Sequence, residues 1–232
     1  ASQVSAQVGE SGTPVNVKEV SDYPFSGYIR LEVSPREDVA FPLYLRIPRW
    51  ATSFEILVNG KSVSIEPAPS SYARIDRIWS EGDVVELNVG MEIGVTRWPR
   101  NGSATVDRGP LSYSIRIEEG WERCGGTDEW PEWEVLPETD WNYALVLDES
   151  SPARDVRMAE VQDVADQPWT LENSPVHLEV RARKVPGWGL TNETVDPVPE
   201  SPAETDEPEE SIRLIPLGCA RLRMSCLPLA PR

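Results

Sequence analysis

Short runs in which apolar and polar residues alternate recur along most of this chain of 232 residues. In one run, Ile29, Leu31 and Val33 alternate with Arg30 and Glu32. Four further runs cover residues 41–47, 72–79, 84–93 and 176–185. Because successive strand residues point to opposite faces of a sheet, this period-2 pattern predicts half-buried β-strands. Turn residues separate the runs, so the sequence predicts an all-β protein of antiparallel, jelly-roll-like β-sandwiches.

The turn residues support this prediction. Asn59-Gly60 lies between the apolar runs FEILV and SVSI. This dipeptide is preferred in the two-residue type I′ turn of a β-hairpin, because both of its residues tolerate a positive φ. The chain also contains 22 prolines and 15 glycines, which favour many turns and few long helices.

The charge balance excludes two classes of partner. Lys and Arg total 22 and Asp and Glu total 39, which gives a formal net charge of -17. Such a surface repels phosphate backbones and anionic membranes, so we predict no nucleic-acid and no membrane partner. No apolar run is long enough to span a bilayer, and the first residues lack the charged and apolar pattern of a signal peptide, so we expect neither. The sequence does not choose between a cytoplasmic, periplasmic or secreted location.

The cysteines and the single histidine predict no metal site. Cys124, Cys219 and Cys226 form no CxxC pair, and their odd number argues against a full disulfide framework. A bridge between Cys219 and Cys226 stays open, but three thiols are the simpler interpretation. A structural zinc site needs about four nitrogen or sulfur ligands. With His177 as the only histidine, we predict no metal ligands in this chain.

No catalytic constellation stands out. Glycosidases use two facing carboxylates, and the many acids here include no pair that spacing marks out. His177 lies in an alternating segment, where the pattern directs its side chain to solvent rather than into a triad. No Gly-rich phosphate loop is present either. We therefore predict no catalytic residue in this chain.

A tryptophan-rich segment at residues 108–143 carries the most distinctive chemistry. Trp121, Trp130, Trp133 and Trp141 are interleaved with acids, glycines and prolines. The segment has the pattern of neither a helix nor an ordinary strand, so we expect a loop. Its tryptophans either anchor that loop by burying their large side chains or stack on sugar rings as carbohydrate contacts.

The last part of the chain contains an acidic segment followed by an alternating one. Residues 190–211 are acidic and rich in proline, with few apolar side chains. Such a segment cannot bury enough apolar surface to compensate for the conformational entropy lost when it becomes ordered. It is therefore either a mobile linker or an extended strap across another surface. Residues 212–224 alternate again and predict a terminal strand pair that returns to an earlier part of the fold.

An ordered set of motifs resembles one enzyme family. Tyr23-Pro-Phe-Ser-Gly27 precedes a strand, LRIPRWA follows at Leu45–Ala51, and the Asn59-Gly60 hairpin comes next. Trp79, Gly82 and Asp83 then form a W-x-x-GD turn, and RGPLSY occupies 108–113. Over residues 15–118 this succession resembles the region that follows the catalytic barrel in glycoside hydrolase family 127, the β-L-arabinofuranosidase family.

The resemblance implies a fold and a division into domains. In that family an (α/α)6 barrel carries the acid/base Glu, the nucleophilic Cys and a zinc, and two β-sandwiches follow it. None of those catalytic motifs matches this chain, so Cys124 is not assigned as a nucleophile and a zinc is expected only in the barrel. The implied domains are a first sandwich, residues 1–107 with 212–232, and a second sandwich, residues 108–211.

The implied function is that of a non-catalytic accessory region in carbohydrate metabolism. It would support a barrel of the same parent protein and contact plant carbohydrate. One alternative is an independent carbohydrate-binding module that uses Trp121, Trp130, Trp133 and Trp141. Another is a structural or assembly domain without a ligand. The sequence names neither the sugar nor its linkage.

Overall fold

The computed structural model describes residues 2–65, 68, 70–159, 163–192 and 194–231. Their regular structure consists of β-strands and two 3-10 turns, Pro152–Arg154 and Leu217–Cys219, so the all-β prediction is confirmed. In this part of the chain no helix is long and apolar enough to cross a membrane. The chain divides into two compact units, Ala1–Glu92 and Ile93–Arg232.

The first unit contains two antiparallel sheets. Its strands are β1 (Ser2–Val8), β2 (Thr13–Ser21), β3 (Tyr28–Pro35), β4 (Val39–Ile47), β5 (Phe54–Val58), β6 (Lys61–Ser62), β7 (Ser71–Trp79) and β8 (Asp83–Val89). The larger sheet has the order β1-β2-β3-β8-β5-β6, and the smaller sheet pairs β4 with β7.

The apolar residues of both sheets meet in one core. Val33 and Val85 come from the larger sheet and Ile47 and Trp79 from the smaller one, and all four are at most 1% exposed. The Trp79 indole N–H donates to the carbonyl oxygen of Phe41 at 2.9 Å, which satisfies its one polar group. The predicted alternation therefore follows from burial of one face of each sheet.

The Asn59-Gly60 hairpin forms as predicted. Asn59 has φ 52° and Gly60 has φ 73°, and the turn joins β5 to β6. Two successive positive φ values are the requirement of a type I′ turn, which asparagine and glycine meet at least cost.

The second unit is built around a seven-stranded antiparallel sheet. Its strands are β9 (Ile93–Arg97), β10 (Ala104–Arg108), β11 (Leu111–Ile115), β12 (Glu119–Gly126), β13 (Pro131–Pro137), β14 (Tyr143–Leu145), β15 (Val156–Met158), β16 (Leu178–Lys184), β17 (Leu190–Thr191), β18 (Thr194–Val195) and β19 (Glu209–Pro216). The sheet runs β14-β16-β19-β11-β10-β9, and β15 also pairs with β16. Two separate hairpins, β12-β13 and β17-β18, complete the unit.

The C-terminal segment Leu227–Ala230 closes this sheet on itself. The Leu227 amide donates to the carbonyl oxygen of Ala104 at 3.0 Å, and the Ala230 amide donates to that of Leu145 at 2.8 Å. The segment therefore links β10 to β14, at the opposite end of the strand order. Closure satisfies backbone groups that an open sheet edge would leave unpaired.

The division of the structure differs from the predicted domains. Strands β9 and β10 pair with each other and lead into β11, so they belong to the second unit rather than the first. Strand β19 pairs with β11 and β16, so residues 212–232 complete the second unit and not the first sandwich. The predicted terminal strand pair is one strand, because the 3-10 turn Leu217–Cys219 ends β19.

Between the β17-β18 hairpin and β19, the acidic segment is an extended strap along the second unit. The Ser201 amide donates to Asn101 O at 2.8 Å, and the Ala203 amide donates to Leu229 O at 2.7 Å. The Thr205 hydroxyl donates to Lys184 O at 2.8 Å. Backbone hydrogen bonds and the burial of Ala203 thus offset the lack of large apolar side chains. Glu193, inside the segment, lies outside the described residues.

Candidate functional site

The middle of the tryptophan-rich segment, residues 119–137, is a β-hairpin rather than the predicted loop, and β11 of the main sheet precedes it. Strands β12 and β13 pair Trp121 with Val135 and Arg123 with Trp133, with a register shift between Arg123 and Gly125. Both faces of the hairpin are largely exposed, so no apolar face is needed, and the alternation that marks buried strands is missing.

Trp121 and Trp133 form one aromatic pair on this hairpin. Their ring centroids lie 6.1 Å apart at an interplanar angle of 73°, an edge-to-face arrangement. The Arg221 guanidinium lies 4.9 Å from the Trp121 ring centroid as a cation–π contact, and the Arg221 amide donates to Glu119 Oε1 at 3.2 Å. The pair therefore ties the hairpin to the C-terminal segment and still leaves each indole nearly half exposed.

Trp130 stands apart in the turn between β12 and β13. Its backbone amide donates to the Thr127 hydroxyl at 3.0 Å, and its carbonyl accepts from the Thr127 amide at 3.0 Å. Its side chain is 74% exposed, the highest value among the exposed tryptophans of the described chain. The turn fixes the backbone of Trp130 but leaves its ring in solvent.

Trp141 is held against the body of the second unit. Its ring meets that of Trp188 edge to face, with centroids 5.3 Å apart. Trp188 is 1% exposed and donates its indole N–H to Asp196 O at 3.0 Å. The Asn142 side-chain amide donates to Val185 O and Trp188 O, which fixes the backbone next to Trp141. Trp141 is thus more firmly positioned than the hairpin tryptophans.

The four predicted carbohydrate contacts therefore do not form one platform. Two are paired on the hairpin, Trp130 is isolated in its turn, and Trp141 lies between two grooves. One groove, of about 600 Å³, is polar. The other, of about 470 Å³, is apolar and is lined by Leu136, Leu190, Val195 and Met224 among others.

Two exposed tryptophans were not singled out by the sequence pattern. Trp98 is 48% exposed and donates its indole N–H to the Thr105 hydroxyl at 2.8 Å, and Trp169 is 39% exposed and packs on Gly218. Each is a single aromatic residue in a separate segment, so clustering along the sequence gave no signal for either.

The three cysteines differ in their exposure to solvent, and His177 is half-buried. All three cysteines are free thiols: Cys124 is exposed, Cys219 is buried and Cys226 is half-buried. Burial raises the pKa of the Cys219 thiol. His177 is half-buried rather than solvent-directed, and burial together with the charge of Arg213 lowers its pKa. Among the described residues, no three His, Cys, Asp or Glu side chains cluster as metal ligands.

Comparison with known proteins gives a family match for part of the chain. Residues 1–91 match the family model described as the β-L-arabinofuranosidase GH127 middle domain. No curated protein sequence matches the chain.

Similar solved structures extend over nearly the whole chain. A glycoside hydrolase is 25% identical with a TM-score of 0.63, over 99% of this chain and 34% of that one. A GH127 β-L-arabinofuranosidase from Geobacillus stearothermophilus T6 is 25% identical with a TM-score of 0.62, over 97% of this chain and 31% of that one. A GH127 β-arabinofuranosidase at 18% identity (TM-score 0.62, 97% of this chain and 33% of that one) shares the fold. The chain thus spans about a third of the length of these proteins.

Proposed function

We propose that this chain is a non-catalytic accessory region of a GH127-type glycoside hydrolase, because residues 1–91 match the model of the β-L-arabinofuranosidase GH127 middle domain. The resemblance predicted from the motifs in residues 15–118 is confirmed. In the proposed arrangement the chain packs beside the catalytic barrel of the same parent protein. The barrel supplies the chemistry, and this chain stabilises it.

One observation carries the proposal. The likeness to the glycoside hydrolase covers 99% of this chain but only 34% of the other protein. About two thirds of that protein therefore has no counterpart in this sequence. A chain that corresponds to one part of a larger enzyme is expected to act together with the remainder.

The residues of this chain do not fit the zinc that the family resemblance implies. The three thiols lie in three different environments, and the described residues hold no cluster of three His, Cys, Asp or Glu side chains. Zinc in proteins is bound by three or four such ligands. We therefore derive no catalytic step through a metal bound to this chain.

An exposed face of the first unit supports a role in packing. Tyr44, Tyr72 and Ile78 are 53%, 60% and 60% exposed on the outer side of the β4-β7 sheet, and we call this the tyrosine face. The Arg74 guanidinium lies over the Tyr44 ring at 5.9 Å, which adds a cation to the aromatic surface. Aromatic residues and arginine are enriched at protein interfaces. We propose the tyrosine face as a contact surface for the barrel.

A pair of variants tests this contact. The barrel from the same coding sequence is produced separately and incubated at elevated temperature with and without this chain. We expect the wild-type chain to prolong the half-life of the barrel, because binding to the folded state stabilises it. Tyr72→Asp places a charge on the tyrosine face and is expected to weaken this protection about tenfold. Val20→Asp, an exposed position on the other sheet, is the matched control and leaves the protection unchanged.

An activity assay tests the non-catalytic assignment. Purified chain is incubated with an aryl β-L-arabinofuranoside, and release of the aryl group is followed by absorbance. We expect no turnover above the buffer rate, whereas the barrel together with the chain hydrolyses the substrate. Turnover by the purified chain alone would overturn the proposal.

The exposed hairpin tryptophans favour a second candidate function, carbohydrate binding by the chain itself. Trp121, Trp130 and Trp133 are 45%, 74% and 49% exposed, and an indole face stacks on the apolar side of a sugar ring. Titration with a panel of plant glycans, read by tryptophan fluorescence, is expected to show a spectral shift that Trp130→Ala reduces. A panel without any response excludes this function.

A further inference from the structure

The polar groove beside Trp141 is a cleft between two strands of the main sheet. Strands β11 and β19 are paired up to Ile115 and Leu214, and the Arg116 amide donates to Arg213 O at 2.9 Å. Beyond this point the chain after β11 and the start of β19 separate. The opening has a volume of about 600 Å³, and its walls include Arg116, Glu118, Glu138, Asp140, Trp141 and Glu210.

The cleft continues across the outer face of the sheet. A second depression shares Arg116, Glu118 and Arg213 with the cleft, and a third joins it through Glu179 and Ser211 before it reaches β15. The path crosses β11, β19, β16 and β15, which at the usual strand spacing gives a length of about 14 Å. This shape suits a short chain-like ligand rather than a compact one.

The walls of the cleft are held in place before any ligand arrives. The Glu138 amide donates to Glu118 O at 2.8 Å and the Glu118 amide donates to the Thr139 hydroxyl at 3.0 Å, so this wall is fastened to the end of β11. The Arg116 guanidinium binds Glu118 at 2.7 Å and Leu171 O at 2.6 Å. Trp141 is fixed by its contact with Trp188. Such preorganisation lowers the entropy lost on binding.

The charges of the cleft select a class of ligand. Arg116 is paired with Glu118, and Asp140 is paired with Lys184 at 2.6 Å. Arg213 adds a further cation to the lining, and the carboxylates of Glu138 and Glu210 add two anions. The four acidic side chains of the cleft thus outnumber its two arginines, which disfavours an anionic ligand. A purely apolar ligand would leave the charged groups desolvated without partners. A neutral ligand with many hydroxyl groups fits, because carboxylates accept and guanidinium groups donate hydrogen bonds.

From this arrangement we propose that the cleft binds a neutral oligosaccharide. Trp141 contacts the apolar side of one sugar ring, and the paired charged groups at Glu118 and Asp140 hydrogen-bond its hydroxyls. Ser211 lies on the floor between the first and third depressions, where its small side chain leaves the path open for further sugar units. The choice of a sugar rests on the proposed function, but the cleft lies wholly within the second unit.

Isothermal titration calorimetry of the whole chain tests the site. The probes are neutral arabino-oligosaccharides and, for comparison, acidic oligogalacturonides of similar length. We expect the neutral chains to bind and the acidic chains to bind at least tenfold more weakly. Trp141→Ala is expected to weaken the binding of neutral chains about tenfold, because the aromatic contact is lost. Ser211→Tyr blocks the floor at an exposed strand position that tolerates an aromatic residue, and it weakens longer chains more than short ones.

Two controls keep the result interpretable. Trp98→Ala removes an exposed tryptophan that does not line the cleft and is expected to change the affinity less than twofold. Circular dichroism and thermal unfolding confirm that each variant is folded, and Ser211→Tyr carries the test if Trp141→Ala does not fold. The proposal is overturned if no neutral oligosaccharide binds, if acidic chains bind more tightly, or if folded Trp141→Ala and Ser211→Tyr bind as well as the wild type does. The chain is assayed without a barrel, so the absence of oligosaccharide binding would not contradict the proposed accessory role.

Discussion

The side chain of Asp83 fixes the turn of the W-x-x-GD motif. The residue is 7% exposed and follows Gly82, whose φ is +82°. Its carboxylate accepts hydrogen bonds from the Asn59 side-chain amide at 2.7 Å and the Ser80 amide at 2.9 Å, and it lies 3.3 Å from Arg77. The carboxylate thus joins the β7-β8 turn to the predicted Asn59-Gly60 hairpin.

The pH dependence of stability tests this role. Burial opposes ionisation of Asp83, but the hydrogen bonds from Asn59 and Ser80 and the charge of Arg77 outweigh it and lower the pKa of the carboxyl. A lowered pKa in the folded state means that the contribution is complete above the pKa of the unfolded chain. It is lost as the pH falls from about 4 through the folded-state pKa.

Asp83→Asn is expected to lower the free energy of unfolding at pH 7 by about 2 kcal/mol, because charged hydrogen bonds are lost. Urea unfolding between pH 2 and 7 should also show a weaker loss of stability in acid for this variant. Asp76→Asn is the control, since Asp76 forms an exposed pair with Arg74 and is expected to change stability by less than about 0.5 kcal/mol. Parallel pH profiles for wild type and Asp83→Asn would contradict the role of the carboxylate.

Among the elements, strands with one buried face were predictable and strands without one were not. In β7 the buried side chains alternate with exposed ones, and in β3 Ile29, Leu31 and Val33 pack on the core, so the period-2 pattern is visible in the sequence. The β12-β13 hairpin is exposed on both faces and irregular near Cys124, so it lacks that pattern. The cleft could not be predicted from the sequence either. Glu118 and Glu210 both line it, and only the pairing of β11 with β19 brings them together. Of its residues, Trp141 alone carried a signal, as part of the tryptophan cluster.

The segment Leu227–Ala230 is the element whose loss should affect the second unit most. Leu227 is 2% exposed and pairs with Ala104 in the closed sheet. Leu227→Ala is expected to lower the free energy of unfolding of the second unit by about 3 kcal/mol, through lost burial and a residual cavity.

Differential scanning calorimetry measures the effect of Leu227→Ala, which should shift the transition of the second unit and leave that of the first in place. Leu190→Ala is the matched control, because Leu190 is 53% exposed and its truncation leaves no buried cavity. A Leu227→Ala variant as stable as Leu190→Ala would show that the segment does not help to hold the sheet closed.

In the whole molecule, the order of strands in each sheet determines which residues belong to which domain. The sequence pattern does not show this strand order. The family resemblance implied a first sandwich that includes residues 212–232. Strand β19 instead pairs with β11 and β16, which places the C-terminal segment in the second unit. Alternation indicates that a strand exists but not which partner it pairs with, since a long connection such as the strap allows several pairings. The domain boundary is therefore known from the hydrogen-bonded strand pairs and not from the sequence pattern.

Sedimentation velocity tests the accessory role most directly. The chain is mixed at micromolar concentration with the separately produced region encoded upstream of it in the same coding sequence. We expect that region to be an (α/α)6 barrel and to form with the chain a single 1:1 complex that sediments faster than either component. Two components that sediment independently, or an upstream region without such a barrel, would show that this chain is not an accessory region of such an enzyme.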